Sequence, residues 1–301
     1  MSQNKNIDRL PVLHQLSSRL SPILFRELVD CVAGVRVTRF DIPADSIDRA
    51  AKWARRLNMK FEFGTEYYRM VIDPGMTNWS STAKLADPDD EDAFLSMYLS
   101  TDADKAVHAR QADEADDHET LGKLMSIPEC CRKSYVNWLE ADNCYIDPIF
   151  SVKIPNPRNA IPVCTIPNPF SCYSQSGLIS HYPCSVKCNL STKNAIKSYS
   201  RICNFWPQIA LELLEKETSL ALYVKDKGVA LAKSYCKYDD LVRFNTNNLH
   251  GQGEIFKAFQ ESNRIKKYED GIILYSGIDK IFEARNGDYL CAAFRAAKNM
   301  H

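Results

Sequence analysis

Val35-Arg36-Val37-Thr38-Arg39-Phe40-Asp41-Ile42 alternates apolar and polar side chains on either side of the Thr38-Arg39 step, the pattern of a half-buried β-strand. Working outward, residues 8–33 read as helices, with Leu20, Ile23, Leu24, Leu28 and Val32 at helical spacing. Asp45 to Leu57 reads as an amphipathic helix carrying Ile47, Ala50, Ala51 and Ala54. Lys60 to Ile72 and Phe94 to Leu99 read as two more strands, separated by the acidic loop Asp87-Pro88-Asp89-Asp90-Glu91-Asp92. One helix across Asp104 to Leu124 follows. The order β-α-β-β-α predicts a small N-terminal sandwich over residues 1–125, with helices on one face of a mainly antiparallel sheet. The fold class is α+β.

Residues 126–216 read as a central region of cysteine-bearing helices. One runs from the Cys130-Cys131 pair to about Ala141, with Tyr135, Trp138 and Leu139 on the face of Cys131. Cys130 is rotated about 100° from that face. A second runs from about Pro183 to Leu214, with a break at Pro207, and would place Cys184 and Cys188 on one face. Between them, from Cys144 to Tyr173, Ile-Pro-Asn-Pro occurs at 154–157 and 166–169. Prolines this dense oppose helix and central strand alike. A linker is one explanation, and a rigid loop lining a site is the other. Residues 217–301 read as mixed strands: Ser219 to Val224, Val229 to Tyr235, Gly271 to Tyr275, Lys280 to Ala284 and Tyr289 to Phe294, with a helix near Ile255 to Glu261. They form a C-terminal α+β unit or complete the first sheet.

The chain has 301 residues, with 38 basic and 38 acidic side chains. That balance gives no electrostatic case for nucleic acid or an anionic membrane as partner. The polar start, Met1-Ser2-Gln3-Asn4-Lys5-Asn6, lacks the apolar run of a signal peptide. No apolar stretch approaches the roughly 18–20 residues of a membrane span. A cytoplasmic protein is expected. Its 11 cysteines would then serve metal or redox chemistry before disulfides. Cys31 and Cys291 lie in apolar elements and read as packed core thiols, with Cys203 and Cys236 grouped alongside them.

Two proline-led clusters stand apart: Pro128-Glu129-Cys130-Cys131 and His181-Tyr182-Pro183-Cys184-Ser185-Val186-Lys187-Cys188. Proline favours the first helical position. Thiols in the turn that follows meet backbone N–H groups and the positive end of the helix dipole, which favours the thiolate that ligates metal. Cys131, Cys184 and Cys188 are the three expected ligands, with Cys130, Cys172 or His181 as a fourth, or none. Three thiolates and an open position suit a [4Fe-4S] cluster whose unique iron meets substrate. A zinc site closed by His181 is the structural alternative. Two further alternatives are a metal-free sulfur relay through Cys130 and Cys131, and cysteines that are merely packed, with His181 as a local cap. A shared cluster would hold its sulfurs within roughly 7 Å of one another; a single zinc would hold them within roughly 4 Å. His108 and His118 read as a solvated face. Gly251-Gln252-Gly253 reads as a turn, and no phosphate-loop or nucleophile-elbow motif is present.

The segment Leu121-Gly122 through Pro128-Glu129-Cys130-Cys131, followed by His181-x-Pro183-Cys184-Ser185-x-x-Cys188, resembles a poorly characterised prokaryotic family with the same paired motifs. The resemblance covers residues 118–200 and implies a shared cysteine site without naming a reaction. Ile127 stands where an aromatic often precedes the first proline of such families.

The reading favoured by the residues is an iron–sulfur enzyme of lyase or sulfurtransferase type acting on a small molecule. Cys131, Cys184 and Cys188 would hold the cluster, and an electron- or sulfur-donor protein would be its partner. Cys130, His181 and Ser185 are candidate catalytic groups, and Tyr173 and Ser174 candidate substrate contacts. A non-catalytic zinc module using Cys131, His181, Cys184 and Cys188 is the alternative.

Overall fold

Proline stands in the first turn of both α1 (Leu10–Ser17) and α2 (Pro22–Val32), where its missing N–H leaves no helical bond unmade. After them β1 (Thr38–Pro43) buries Thr38, Phe40 and Ile42 and exposes the residues between. The structure is a computed structural model and describes residues 9–70, 83–141, 148–155, 160–233, 235–238 and 240–296. The polar N-terminus, residues 71 and 72 of the second expected strand, Cys144 and the end of the first Ile-Pro-Asn-Pro lie outside these residues. The chain divides into two compact units, one of Met1–Val71 and Ser81–Ala141, the other chiefly Asp142–His301.

In the first unit, α3 (Ile47–Arg56) leads to β2 (Lys60–Met70), a short β3 (Ala83–Leu85) and β4 (Phe94–Ser100). The sheet order is β1-β4-β2-β3, all antiparallel. Helices cover both of its faces, which corrects the one-face expectation. Phe40 pairs with Met97 and meets the Trp53 ring of α3 at 6.3 Å. Tyr98 points the other way and joins Ala109 and Ala112 of the following helix. Central β4 is therefore buried from Leu95 to Ser100, as a strand packed on both sides must be.

The expected single helix over 104–124 is two, α4 (Ala103–Glu114) and α5 (His118–Leu124). Asp116 takes a positive φ of 53°, and Asp117 caps α5 by accepting the Thr120 N–H at 3.0 Å. Asp tolerates the left-handed turn and favours the N-cap, so the break was written in Asp116-Asp117. α6 (Glu129–Glu140) follows.

The second unit contains β5 (Val163–Thr165), α7 (Asn189–Cys203) and α8 (Pro207–Glu217). The run β6 (Leu220–Val224), β7 (Gly228–Ala232), β8 (Tyr235–Tyr238), β9 (Leu241–Phe244) and β10 (Leu249–Gln252) leads to α9 (Gly253–Glu261). β11 (Arg264–Lys267), β12 (Gly271–Ser276), β13 (Asp279–Arg285) and β14 (Tyr289–Arg295) complete it. They make two five-stranded sheets, β10-β7-β6-β14-β5 and β13-β12-β11-β9-β8, distinct from the first unit's sheet and antiparallel except where β14 meets β5. Gly251-Gln252-Gly253 is thus the end of β10 and the start of α9, not a turn. A Cβ on Gly251 would stand 2.2 Å from the Val229 carbonyl of β7, so the close approach of the strands requires glycine.

Every residue of β6 and β7 is buried, because their sheet is covered on both faces. On one face Leu220, Leu222 and Val224 pack with Ile265, Ile272 and Leu274 of the other sheet and with Phe259 of α9. On the opposite face Ala221, Tyr223 and Leu231 pack with Ile149, Val152, Phe170 and Val186. The described residues of the proline-rich segment therefore contribute to the core, which corrects the linker explanation. At roughly 1.5–3 kcal/mol for each fully buried large apolar side chain, Ile149, Ile161, Ile166 and Phe170, all 0% exposed, anchor it firmly.

Candidate metal centre

α6 starts one residue later than the proline rule suggests. Pro128 is the N-cap, with an extended ψ of 139°, so Cys130 and Cys131 occupy the second and third helical positions. Arg132 orients this helix start. Its guanidinium donates to the Ile127 carbonyl at 2.5 Å and to Glu119 Oε1 at 2.9 Å. Its stem crosses Gly122 so closely that a Cβ there would meet Arg132 Cδ at 2.7 Å. The glycine of the Leu121-Gly122 pair thus leaves room for the Arg132 stem beside the helix that carries the cysteines. Cys131 is buried and Cys130 exposed, as the helical rotation between them dictates.

The second cluster is not helical, which corrects the expectation of a helix from Pro183. α7 begins at Asn189, and Cys188 is its N-cap. Cys184 to Cys188 form a turn in which Ser185 accepts at both ends. The Cys188 N–H reaches its carbonyl at 2.9 Å and the Lys187 N–H reaches its hydroxyl at 3.2 Å. Such hydroxyl-capped turns compete with helix at serine. Ser185 also bridges to Lys153, donating its hydroxyl to that carbonyl at 3.2 Å. Val186 sinks into the core beside them. The turn is held by packing.

The Sγ atoms of Cys130, Cys131, Cys184 and Cys188 all lie within 4.8 Å of one another. Cys130 and Cys131 are 3.9 Å apart, although successive helical side chains normally diverge. A tetrahedral ion with metal–sulfur bonds of 2.3 Å needs sulfurs about 3.8 Å apart, so this pair spans one edge of the tetrahedron. The donor set is sulfur throughout, the soft set that selects zinc or iron over magnesium or calcium. This cysteine cluster could hold a metal ion.

The remaining candidates lie elsewhere or are engaged locally. His181 Nε2 is 2.9 Å from the Ser191 hydroxyl. Cys172 donates to the Pro169 carbonyl at 3.0 Å and is not one of the four clustered sulfurs. Tyr173 is a core residue whose ring lies 5.6 Å from that of Tyr223, and Ser174 donates to the Ser171 carbonyl at 2.8 Å. Cys31 and Cys291 are buried, and desolvation pushes both thiols up to about 12, the signature of inert packed cysteines. Cys203 and Cys236 are exposed and do not belong with them. Cys203 ends α7, and Cys236 sits on the outward side of the edge strand β8 beside half-buried Tyr235. His108 is exposed, and exposed His118 sets its ring edge-on to Tyr135 at 6.0 Å.

Glu217 escaped the sequence reading. At 0% exposure its carboxylate accepts from the Asn168 N–H at 2.5 Å, the Leu178 N–H at 2.7 Å and the Ser171 hydroxyl at 3.0 Å. It ties the end of α8 to the loop that includes the second Ile-Pro-Asn-Pro. The only hint was an acidic residue at a helix C-terminus, where the dipole disfavours it.

Residues 104–216 match the model of a family described as a protein of unknown function, DUF483. The matched span contains all four clustered cysteines, so the chain carries a domain of unknown function over the site itself. No curated protein and no solved structure matches the chain. No described helix is long and apolar enough to cross a membrane.

Proposed function

We propose that Cys130, Cys131, Cys184 and Cys188 together bind a single metal ion, zinc before iron, and that the ion stabilises this domain. The observation that carries the reading is the 4.8 Å limit on the separation of all four sulfurs. It is close to the roughly 4 Å of a tetrathiolate ion and well inside the roughly 7 Å of a cubane's thiolates. Four protein ligands close the coordination shell, which is the mark of a structural site. Bound zinc would supply folding free energy, on the order of 10 kcal/mol for tetrahedral sites in small domains. Cys130 thus replaces His181 in the zinc alternative drawn from sequence.

A second reading is favoured by the exposure of Cys130. A solvent-facing fourth thiolate is the one that could yield its place, leaving Cys131, Cys184 and Cys188 around a [4Fe-4S] centre with an open iron. Anaerobic purification followed by elemental analysis and absorption spectroscopy decides between them. One zinc per chain and a colourless sample support the structural site. About four irons and a broad band near 400 nm sink it in favour of the enzyme. No bound metal sinks both.

A further inference from the structure

Arg49, Lys52, Trp53 and Arg56 recur at i, i+3, i+4 and i+7 on α3 and so share one face. With Gln15 and Leu16 of α1 and Arg19 just beyond it, they line a concave pocket of about 170 Å³ within the first unit. The lining holds four cationic side chains and no acidic one. Arg49 donates to the Ser46 hydroxyl at 2.7 Å, and that hydroxyl donates to Asp45 at 2.7 Å. Arg56 donates to Gln15 Oε1 at 3.4 Å, joining the two sides of the pocket. Among the described residues, no carboxylate forms an ion pair with Arg19, Arg49, Lys52 or Arg56.

The chain as a whole has as many acidic as basic residues, so an all-cationic lining is a local feature. Elsewhere on the same unit exposed Arg39 pairs with Asp113 at 2.9 Å and half-buried Arg110 with Glu114 at 2.8 Å. Even Arg55, next to Arg56 in sequence, leaves the pocket to lie over the Phe61 ring at 5.5 Å. Four like charges around one concavity repel one another, and a bound anion would relieve that repulsion. The floor is apolar, made by buried Leu16 and the half-buried indole of Trp53. A volume of about 170 Å³ is below the roughly 300 Å³ at which pockets enclose a drug-sized ligand. It suits a headgroup bearing several charged oxygens, with an organic body resting against the apolar wall. Arginine forks match the oxygens of phosphate in pairs.

We infer that this pocket binds the phosphoryl group of a small phosphorylated molecule. The site is independent of the cysteine cluster and of the reading given to it. Full-length protein is titrated by calorimetry at low salt with adenosine 5′-monophosphate, inorganic phosphate, succinate and an oligothymidylate of fifteen nucleotides. The expected result is saturable one-to-one binding of the monophosphate, weaker binding of phosphate, and weaker still of succinate. The double variant Arg49→Ala, Lys52→Ala should weaken the monophosphate about tenfold or more, the loss of charge-assisted hydrogen bonds. Arg49→Lys, Lys52→Arg should restore most of it, and Arg55→Ala should leave it within about twofold. Circular dichroism of each variant checks that it folds. The inference is overturned by no saturation at millimolar monophosphate, by equal binding of succinate, or by an equal effect of Arg55→Ala. It is likewise overturned if the oligonucleotide binds more tightly per site than the monophosphate, which would make the pocket part of a nucleic-acid surface.

Discussion

Cys31, in the packing of α2 against β4, and Cys131, in the first turn of α6, are buried to the same degree, 0% and 1% exposed. Their surroundings differ in kind. The Cys31 thiol donates to the Leu99 carbonyl at 3.0 Å, and the nearby Arg36 charge and Thr38 hydrogen bonds do not outweigh its burial. Burial therefore pushes it up to about 12 and keeps it protonated. Cys131 has three other sulfurs within 4.8 Å. Four thiolates at that distance repel one another strongly unless a cation neutralises them. Depth of burial thus says little about what a cysteine does. What stands opposite the sulfur decides it.

The comparison breaks most severely if the cluster sulfurs prove dispensable. Replacing Cys131, Cys184 or Cys188 by Ala should remove most of the bound metal and, with it, several kcal/mol of stability. Cys130→Ala should do the same for a closed four-sulfur site. Metal analysis and thermal unfolding read both effects. If Cys130→Ala keeps its metal while the other three lose theirs, the three-cysteine centre gains at the expense of the structural ion.

Glu217 offers an acceptor-rich counterpart to the buried thiols. Its carboxyl group is fully buried and accepts three hydrogen bonds. Glu217→Ala should cost on the order of 3 kcal/mol in chemical denaturation, because two backbone N–H groups and a hydroxyl lose their acceptor. Unchanged stability would show that the loop it holds finds other acceptors.

Alkaline pH sharpens the contrast further. The Cys31 thiol rises from an ordinary value of 9.0 to about 12 in the folded chain. Below pH 9 both states keep the proton and the preference for the neutral thiol is fully present. Between about 9 and 12 only the unfolded state ionises, so stability falls as pH rises through this window. The Cys31→Ala variant should lose less stability over the same range. Parallel curves for the two proteins would contradict the assignment.

The smallest effects belong at neutral pH to the packed and exposed thiols. Cys31→Ala and Cys291→Ala should each lower stability by about 1 kcal/mol and leave metal content unchanged. Exposed Cys203 and Cys236 should be alkylated by iodoacetamide in the folded protein, whereas Cys31 and Cys291 resist it. Mass mapping of modified thiols checks this, and early labelling of Cys31 would refute it.

Elements with a local cause were legible in the residues alone. The alternation of Thr38, Phe40 and Ile42, the apolar runs of β6 and β14, and the 100° rotation between Cys130 and Cys131 follow from backbone periods of 2 and 3.6. The split of 104–124 was also local, and missing it meant giving Asp116-Asp117 too little weight. The Pro183 cluster was misread because proline before cysteine fits a tight turn as well as a helix start, and only the contacts of Ser185 with Lys153 and of Val186 with the core select the turn. The coverage of both faces of β4, the core role of the Ile-Pro-Asn-Pro segment and the three donors around Glu217 depend on partners distant in sequence, as far apart as Val163 and Ala293. The cluster is the clearest case. Sequence could nominate its cysteines because thiols near prolines have a chemical reason to be there. That Cys130, rather than His181 or Cys172, stands with the other three within 4.8 Å is a matter of tertiary distance. No periodic pattern along the chain carries that information, because side chains far apart in sequence are brought within bonding range only by the packing of the elements that hold them.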